Sequence, residues 1–331
     1  MKNEQIVLAK RPEGVPGDDV FRFEDTEVKQ PAEGEVLIKA LYVSVDPYMR
    51  GRMSDAKSYV APYELDKPLE GHIVGEIVES KDNDFEEGDY VVGVLPWQRY
   101  IAVATNRVTK IQNTDVPLHL YLSTLGMTGQ TAYHGLLKIG QPKEGETVVV
   151  SAASGAVGSV VGQIAKIKGA RVVGIAGGDE KVKYLTETLG FDAGIDYKSN
   201  DFAASFEAAV PDGVDVYFEN VGGEVSDVVL KHLNTFARVP VCGTISSYNN
   251  TGEDIGQRVQ GILVKTQALM QGFVIGNYKD DFQAAGKELA EWVRNDKIHT
   301  EVSVEEGFEN IPKAFRDLFE GKNFGKQVVK I

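Results

Sequence analysis

The sequence predicts an α/β chain of two domains, one β-rich and one built on a doubly wound parallel sheet. Three observations carry this. At 331 residues the chain exceeds the length at which a single hydrophobic core usually keeps growing. Up to about residue 125 it reads as short apolar runs punctuated by Gly34, Gly71, Gly88 and Gly93, which is how strands and turns read. From about residue 126 it changes to repeating units of strand, Gly-rich turn and helix, the pattern of a parallel sheet.

The first domain, 1–125, contains strand-like runs at Glu35–Leu41, His72–Val78 and Asp89–Val94. In the second, 126–299, the predicted strands are Thr147–Val150, Arg171–Ile175, Val214–Phe218 and Val239–Cys242. Near-continuous β-branched runs suit strands covered on both faces. Pro240 lacks a ladder N–H, which places the last of these strands near an edge. Polar amphipathic helices are predicted over Asp281–Asn295 and Ile311–Phe319, followed by a terminal strand, Lys326–Ile331. That strand and the rest of about 300–331 complete the first domain.

Composition narrows the function. The formal charge is −14, which disfavours attraction to nucleic-acid phosphate or anionic membrane, and no basic stripe offsets it. Cys242 is the only cysteine, so no internal disulfide forms and a Cys-rich zinc site is excluded. The N-terminus lacks the apolar run of a secretory signal, and no segment approaches the ~20 apolar residues of a membrane span. A cytoplasmic protein with no membrane or nucleic-acid partner is the expectation.

The most informative stretch runs from Val148 through Ser151, Ala153, Gly155, Ala156 and Val157 to Gly158. A buried strand turns tightly and opens a helix, so backbone N–H groups and the helix dipole face a pyrophosphate. Val157, Val160, Val161, Ile164 and Ile167 follow at helical spacing, and Gly169 ends the helix. After the second strand, Gly177 and Gly178 stand where an NAD site usually carries an acidic residue, and Lys181 can meet a 2′-phosphate. This favours NADP over NAD. Asp179 has two readings, a ribose ligand or a cap for the Glu180–Thr188 helix.

The chain resembles the zinc-independent medium-chain dehydrogenase/reductases, in the group of prostaglandin and leukotriene reductases, alkenal double-bond reductases and curcumin reductases. The resemblance covers nearly the whole length. It rests on Val45–Met53, the Ala153–Gly158 turn with Asp179–Lys181, Glu219–Gly223, Cys242–Asn249 and Asn323–Lys326. It implies a GroES-like catalytic domain, a central Rossmann domain, a cofactor and substrate held between them, and a homodimer built through the Rossmann sheets. It implies NADP(H) contacts at Gly155, Ala156, Val157, Gly158, Lys181, Tyr197, Asn220, Cys242, Gly243, Thr244, Ile245, Ser246, Ser247, Tyr248, Phe273, Val274, Ile275 and Asn323. Zinc alcohol dehydrogenases of the superfamily carry Gly-His-Glu where this chain has Gly71-His72-Ile73. Their catalytic cysteine ligand is missing too, so no metal is expected and His72 reads as structural.

Without zinc to polarise a carbonyl, the expected reaction is conjugate reduction of an enone or enal, with hydride adding to the β-carbon. Negative charge then develops on the carbonyl oxygen, and a donor aimed at it lowers the barrier. Tyr248, which the resemblance places beside the nicotinamide, is the first candidate. Tyr48 and Tyr59 are candidates for substrate binding. Arg50 and Arg52 share the Tyr48 motif and suit a phosphate or acidic substrate. Two other readings stand beside this one: a quinone oxidoreductase using the same hydride chemistry, and an NADPH-binding redox-sensing module without significant catalysis.

Overall fold

The computed structural model describes residues 2–331. Its contacts divide the chain into two units, Met1–Leu122 with Val302–Asn323 and Gln327–Ile331, and Ser123–Glu301 with Phe324–Lys326. The first opens with an antiparallel pair, β1 (Lys2–Leu8) and β2 (Phe21–Glu27), zipped from Lys2↔Glu27 to Leu8↔Phe21. Then comes β3 (Glu35–Ser44), longer than its sequence signal, which carries the turn into a short helix α1 (Met49–Arg52). Strands β4 (Glu70–Ser80), β5 (Tyr90–Pro96), β6 (Tyr100–Ala104) and β7 (Val108–Lys110) follow. β3 pairs antiparallel with β4 and, at its other edge, with β6. The core is fully buried, with Ile6, Val36, Ile38, Met49 and Trp97 at its centre.

The second unit begins with α2 (Met127–His134), then alternates strand and helix: β8 (Thr147–Val150), α3 (Gly158–Ile167), β9 (Arg171–Ala176), α4 (Asp179–Lys183), β10 (Ala193–Asp196), α5 (Phe202–Ala209), β11 (Val214–Phe218), α6 (Gly223–Val229), β12 (Leu233–Val241), α7 (Gln260–Thr266), β13 (Leu269–Gly272) and α8 (Phe282–Arg294). The sheet order is β10-β9-β8-β11-β12-β13, and its pairings are parallel. The order reverses between β8 and β11, and in open α/β sheets ligands bind beyond the strand ends at that reversal. Every residue of β8 is buried, and α3 packs Val160, Val161, Ile164 and Ala165 onto the sheet. Each fully buried valine or isoleucine there contributes about 1.5–3 kcal/mol.

β12 lies near an edge of the sheet, as Pro240 suggested, with β13 alone outside it. Pro240 is tolerated because its carbonyl still accepts the Glu219 N–H at 3.0 Å, so only its own N–H is lost. The stretch Thr251–Gln267 contains α7. Asp179 is not the cap of its helix; Gly178, at φ 91°, holds that position and Asp179 is the first helical residue, exposed.

The chain then returns to the first unit as β14 (Val302–Glu306), α9 (Ile311–Asp317) and β15 (Lys326–Lys330). β15 pairs antiparallel with β3, Val328 facing Ser44, which closes the order β14-β15-β3-β4-β5-β7. Phe308 and Phe315 enter the same core as Trp97.

Packing at α2 leaves no room for a side chain at Gly129: a Cβ there would sit 1.8 Å from the Thr124 carbonyl oxygen. Gly129→Ala is expected to destabilise the protein by about 1–3 kcal/mol through backbone displacement, read as a lowered urea midpoint with an unchanged slope.

Candidate active site

At the carboxyl end of β8 the chain turns through Ser151–Val157 into α3, and two features make this turn a cradle. Ala152 adopts φ 48°, a left-handed conformation uncommon for a residue with a Cβ. Gly158 touches it so closely that a Cβ would lie 2.3 Å from the Ala152 carbonyl oxygen. The turn is fixed by Ser151 N–H to Phe218 O, 3.2 Å, and Ala153 N–H to Ile175 O, 2.9 Å. Gly155, Ala156 and Val157 are left half-buried ahead of the first turn of α3, where N–H groups lack intrahelical acceptors. That arrangement fits the pyrophosphate of a dinucleotide.

The end of β9 builds a cationic corner. Asp196 Oδ1 accepts the N–H groups of Gly178, 2.8 Å, and Lys198, 2.9 Å, tying the two loops together. Lys181 and Lys198 converge there. Burial pulls the Lys181 pKa below its ordinary value, and the neighbouring Lys198 charge adds to this. Tyr197 is 45% exposed, and its ring with the Lys198 stem covers Gly177, where a Cβ would meet both at 2.9 Å. Two ammonium groups and a phenol around a backbone without side chains suit a ribose phosphate. Lys198 was legible only as the neighbour of Tyr197 in the sequence; its place beside Lys181 comes from the loop geometry.

Across the reversal, Glu219 organises the ends of β8, β11 and β12. It is 2% exposed. Its Oε1 accepts the Ser151 hydroxyl at 3.0 Å and the N–H groups of Val221 and Gly222 at 2.8 and 2.9 Å. Its backbone carbonyl accepts the N–H groups of Cys242 and Gly243 at 2.8 and 3.2 Å. Asn220 donates its side-chain amide to Ser151 O at 2.8 Å.

The Cys242–Tyr248 turn follows, with Ile245–Ser247 forming one tight helical turn. It is moored by Ser246 Oγ to Val221 O, 2.6 Å, and Ser247 Oγ to Thr244 O, 3.0 Å. The Tyr248 hydroxyl folds back over its own turn, 3.4 Å from Thr244 N, in a space a Cβ on Gly243 would invade at 2.8 Å. Phe273 continues from β13 with its N–H on Val241 O, 3.4 Å, and its ring edge-on to Phe218 at 6.3 Å. Val274 and Ile275 follow, half-buried. Asn323 directly precedes the Phe324–Lys326 piece of this unit.

In the first unit Tyr48 caps α1, packs on the core and is half-buried. Burial, with Asp46 adding to it, raises the Tyr48 pKa well beyond the tyrosine range, so its hydroxyl stays a neutral donor. Tyr59 is 68% exposed. The neighbouring arginines Arg50 and Arg52 find partners within their own unit. Arg50, buried, donates to Gly14 O and Pro12 O. Arg52 stacks 4.0 Å from the Tyr63 ring centroid, donates to Ala61 O at 3.0 Å and pairs with Glu70 at 3.7 Å. Both guanidinium groups hold the surrounding segments in place.

Two family models match the chain, one described as the N-terminal domain of oxidoreductase over residues 4–111 and one described as zinc-binding dehydrogenase over residues 156–291. The NADPH-dependent curcumin reductase of Escherichia coli (strain K12) is 46% identical over 100% of this chain and 97% of its own. Prostaglandin reductase 1 of Mus musculus is 44% identical over 98% of this chain and 97% of its own. This chain belongs to the zinc-independent medium-chain reductases. The solved structure of CurA in complex with NADPH, from Vibrio vulnificus, matches this one with a TM-score of 0.94 at 44% identity, covering 99% of this chain and 98% of that one. The donor set of this reductase does not fit a catalytic zinc. Among the described residues no group of three or more His, Cys, Asp and Glu gathers to hold a metal, and burial pushes the Cys242 thiol up to about 12.

Because the Tyr248 hydroxyl is the flexible partner in its contact with Gly243, Gly243→Ala is expected to displace it while leaving the β8 turn intact. Steady-state kinetics should show kcat lowered by about tenfold or more, as for a misplaced reacting group, with NADPH affinity within about twofold by fluorescence titration.

Proposed function

We propose that this chain is an NADPH-dependent reductase of the carbon–carbon double bond of α,β-unsaturated ketones and aldehydes, of the 2-alkenal, prostaglandin-like or curcumin-like type. The observation that carries this is its end-to-end likeness to curcumin and prostaglandin reductases, joined to a dinucleotide cradle with a two-lysine corner. NADPH, when bound, would supply the hydride that adds to the β-carbon of the substrate, and the enolate left on the substrate would take a proton from water at its α-carbon to give the saturated product. The Ser151–Gly158 turn holds its pyrophosphate, Lys181, Lys198 and Tyr197 its 2′-phosphate, and Asn220 with the Cys242–Tyr248 turn, Phe273–Ile275 and Asn323 the remainder.

The Tyr248 hydroxyl donates to the substrate carbonyl oxygen as negative charge develops there. Tyr48, kept neutral by burial, is a second donor to the substrate, and the exposed Tyr59 covers its apolar part. Arg52 acts one step back by holding the Tyr63 segment. Residues 1–125 with about 300–331 form the GroES-like catalytic domain, and 126–299 the cofactor domain. No helix among the described residues is long and apolar enough to cross a membrane, and the cytoplasm is the proposed location.

The proposed assembly is a homodimer. β13 is the outer strand of its sheet, and Leu269 on it and Val264 on α7 are 50% and 80% exposed. Unpaired edges and apolar surface of this kind are usually covered. Val264→Glu should convert a dimer into a monomer by light scattering after gel filtration; an unchanged mass would place the contact elsewhere.

The test of the activity is turnover against a panel of enones, enals, quinones and simple ketones. Tyr248→Phe should lower kcat on enones by about 10²–10³-fold, the cost of removing one donor to a developing oxyanion, with NADPH affinity unchanged. Full activity in that variant, or turnover confined to quinones, would overturn the reading.

A further inference from the structure

The C-terminal piece Phe324–Lys326 lies on the cofactor-binding unit between two stretches that belong to the other. It is pinned there tightly. Gly325 donates its N–H to Ser154 O at 2.8 Å and bridges Gly155 on the turn after β8. Lys326 N–H reaches Glu301 O at 3.1 Å. Gly325 takes φ 59°, and a Cβ on it would lie 1.9 Å from Glu301 O, so the position admits only glycine. The backbone directly after Phe324 is thereby fixed.

That ring meets two side chains of the α4 segment. It stands edge-on to Tyr184 at 5.5 Å, nearly perpendicular at 88°, and the Lys181 ammonium lies 5.5 Å from its centroid. Lys181 and Tyr184 are three residues apart, which places them on one helix face. An ammonium within ~6 Å of a ring face is attracted by the ring quadrupole, more strongly where water is partly excluded. Lys181 is half-buried and has Lys198 as a like-charged neighbour. Repulsion between the two would swing a flexible lysine outward, and the aromatic face opposes this. Lys198 rests 6.0 Å from the Tyr197 ring in the same manner.

We propose that Phe324 is a positioning residue for cofactor choice: its ring holds the Lys181 ammonium in place to receive the adenosine 2′-phosphate, so that selection of NADP over NAD depends on the C-terminal segment. This rests on the NADP reading given above. The residue touches no reacting atom and acts through Lys181.

The test is calorimetric binding of two fragments, adenosine 2′,5′-bisphosphate and 5′-AMP, to the intact protein. The unaltered protein should prefer the bisphosphate. Phe324→Leu should lower that preference about threefold to tenfold, the range of a partly desolvated cation–π contact, while 5′-AMP binding holds. Phe324→Tyr should restore it, and Phe324→Leu should have no further effect in a Lys181→Ala background. A preference unchanged in Phe324→Leu, or both ligands weakened equally, overturns the proposal and leaves the NADP reading standing. No preference in the unaltered protein overturns that reading itself, and the proposal with it.

Discussion

The buried Glu219 carboxylate joins the strand ends at which the parallel sheet reverses its order. Its Oε1 gathers a hydroxyl from the end of β8 and two amides from the start of α6, and its backbone gathers two amides from the end of β12. A buried acidic side chain is tolerated in the interior when N–H and O–H donors converge on it, and each such hydrogen bond contributes about 0.5–1.5 kcal/mol. The loops it ties are the ones that carry Asn220 and the Cys242–Tyr248 turn. The position of the proposed donor hydroxyl is thus inherited from the sheet through one residue, by its side chain and its backbone together.

What the sequence reveals of this arrangement is governed by distance along the chain. The β8 turn was legible because strand, small-residue turn and helical periodicity lie within about twenty consecutive residues, and each side chain's task there is local. The two-domain α/β class was legible for the same reason. Short pieces with weak apolar signal were not: β10 includes Gly194, and β13 is an exposed edge with little to bury.

Long-range partners were invisible. The partners of Arg50 and Arg52, namely Pro12, Gly14 and Glu70, come from elsewhere in the chain. Lys198, Glu219 and Phe324 stood inside recognised motifs, yet their roles depend on Lys181, Ser151 and Gly325 being brought to them by the fold. Pro240 did mark a strand near an edge, but the bond its carbonyl keeps with the Glu219 N–H comes from a distant part of the chain.

The central claim is conjugate hydride delivery, and the most direct measurement is isotopic. NADPH carrying deuterium at the transferred position of C4 would be supplied with a simple enone, and the product examined by NMR. The account predicts a saturated ketone with deuterium on the carbon that was β to the carbonyl. Deuterium on the hydroxyl-bearing carbon of an allylic alcohol, or no deuterium on carbon at all, would contradict it.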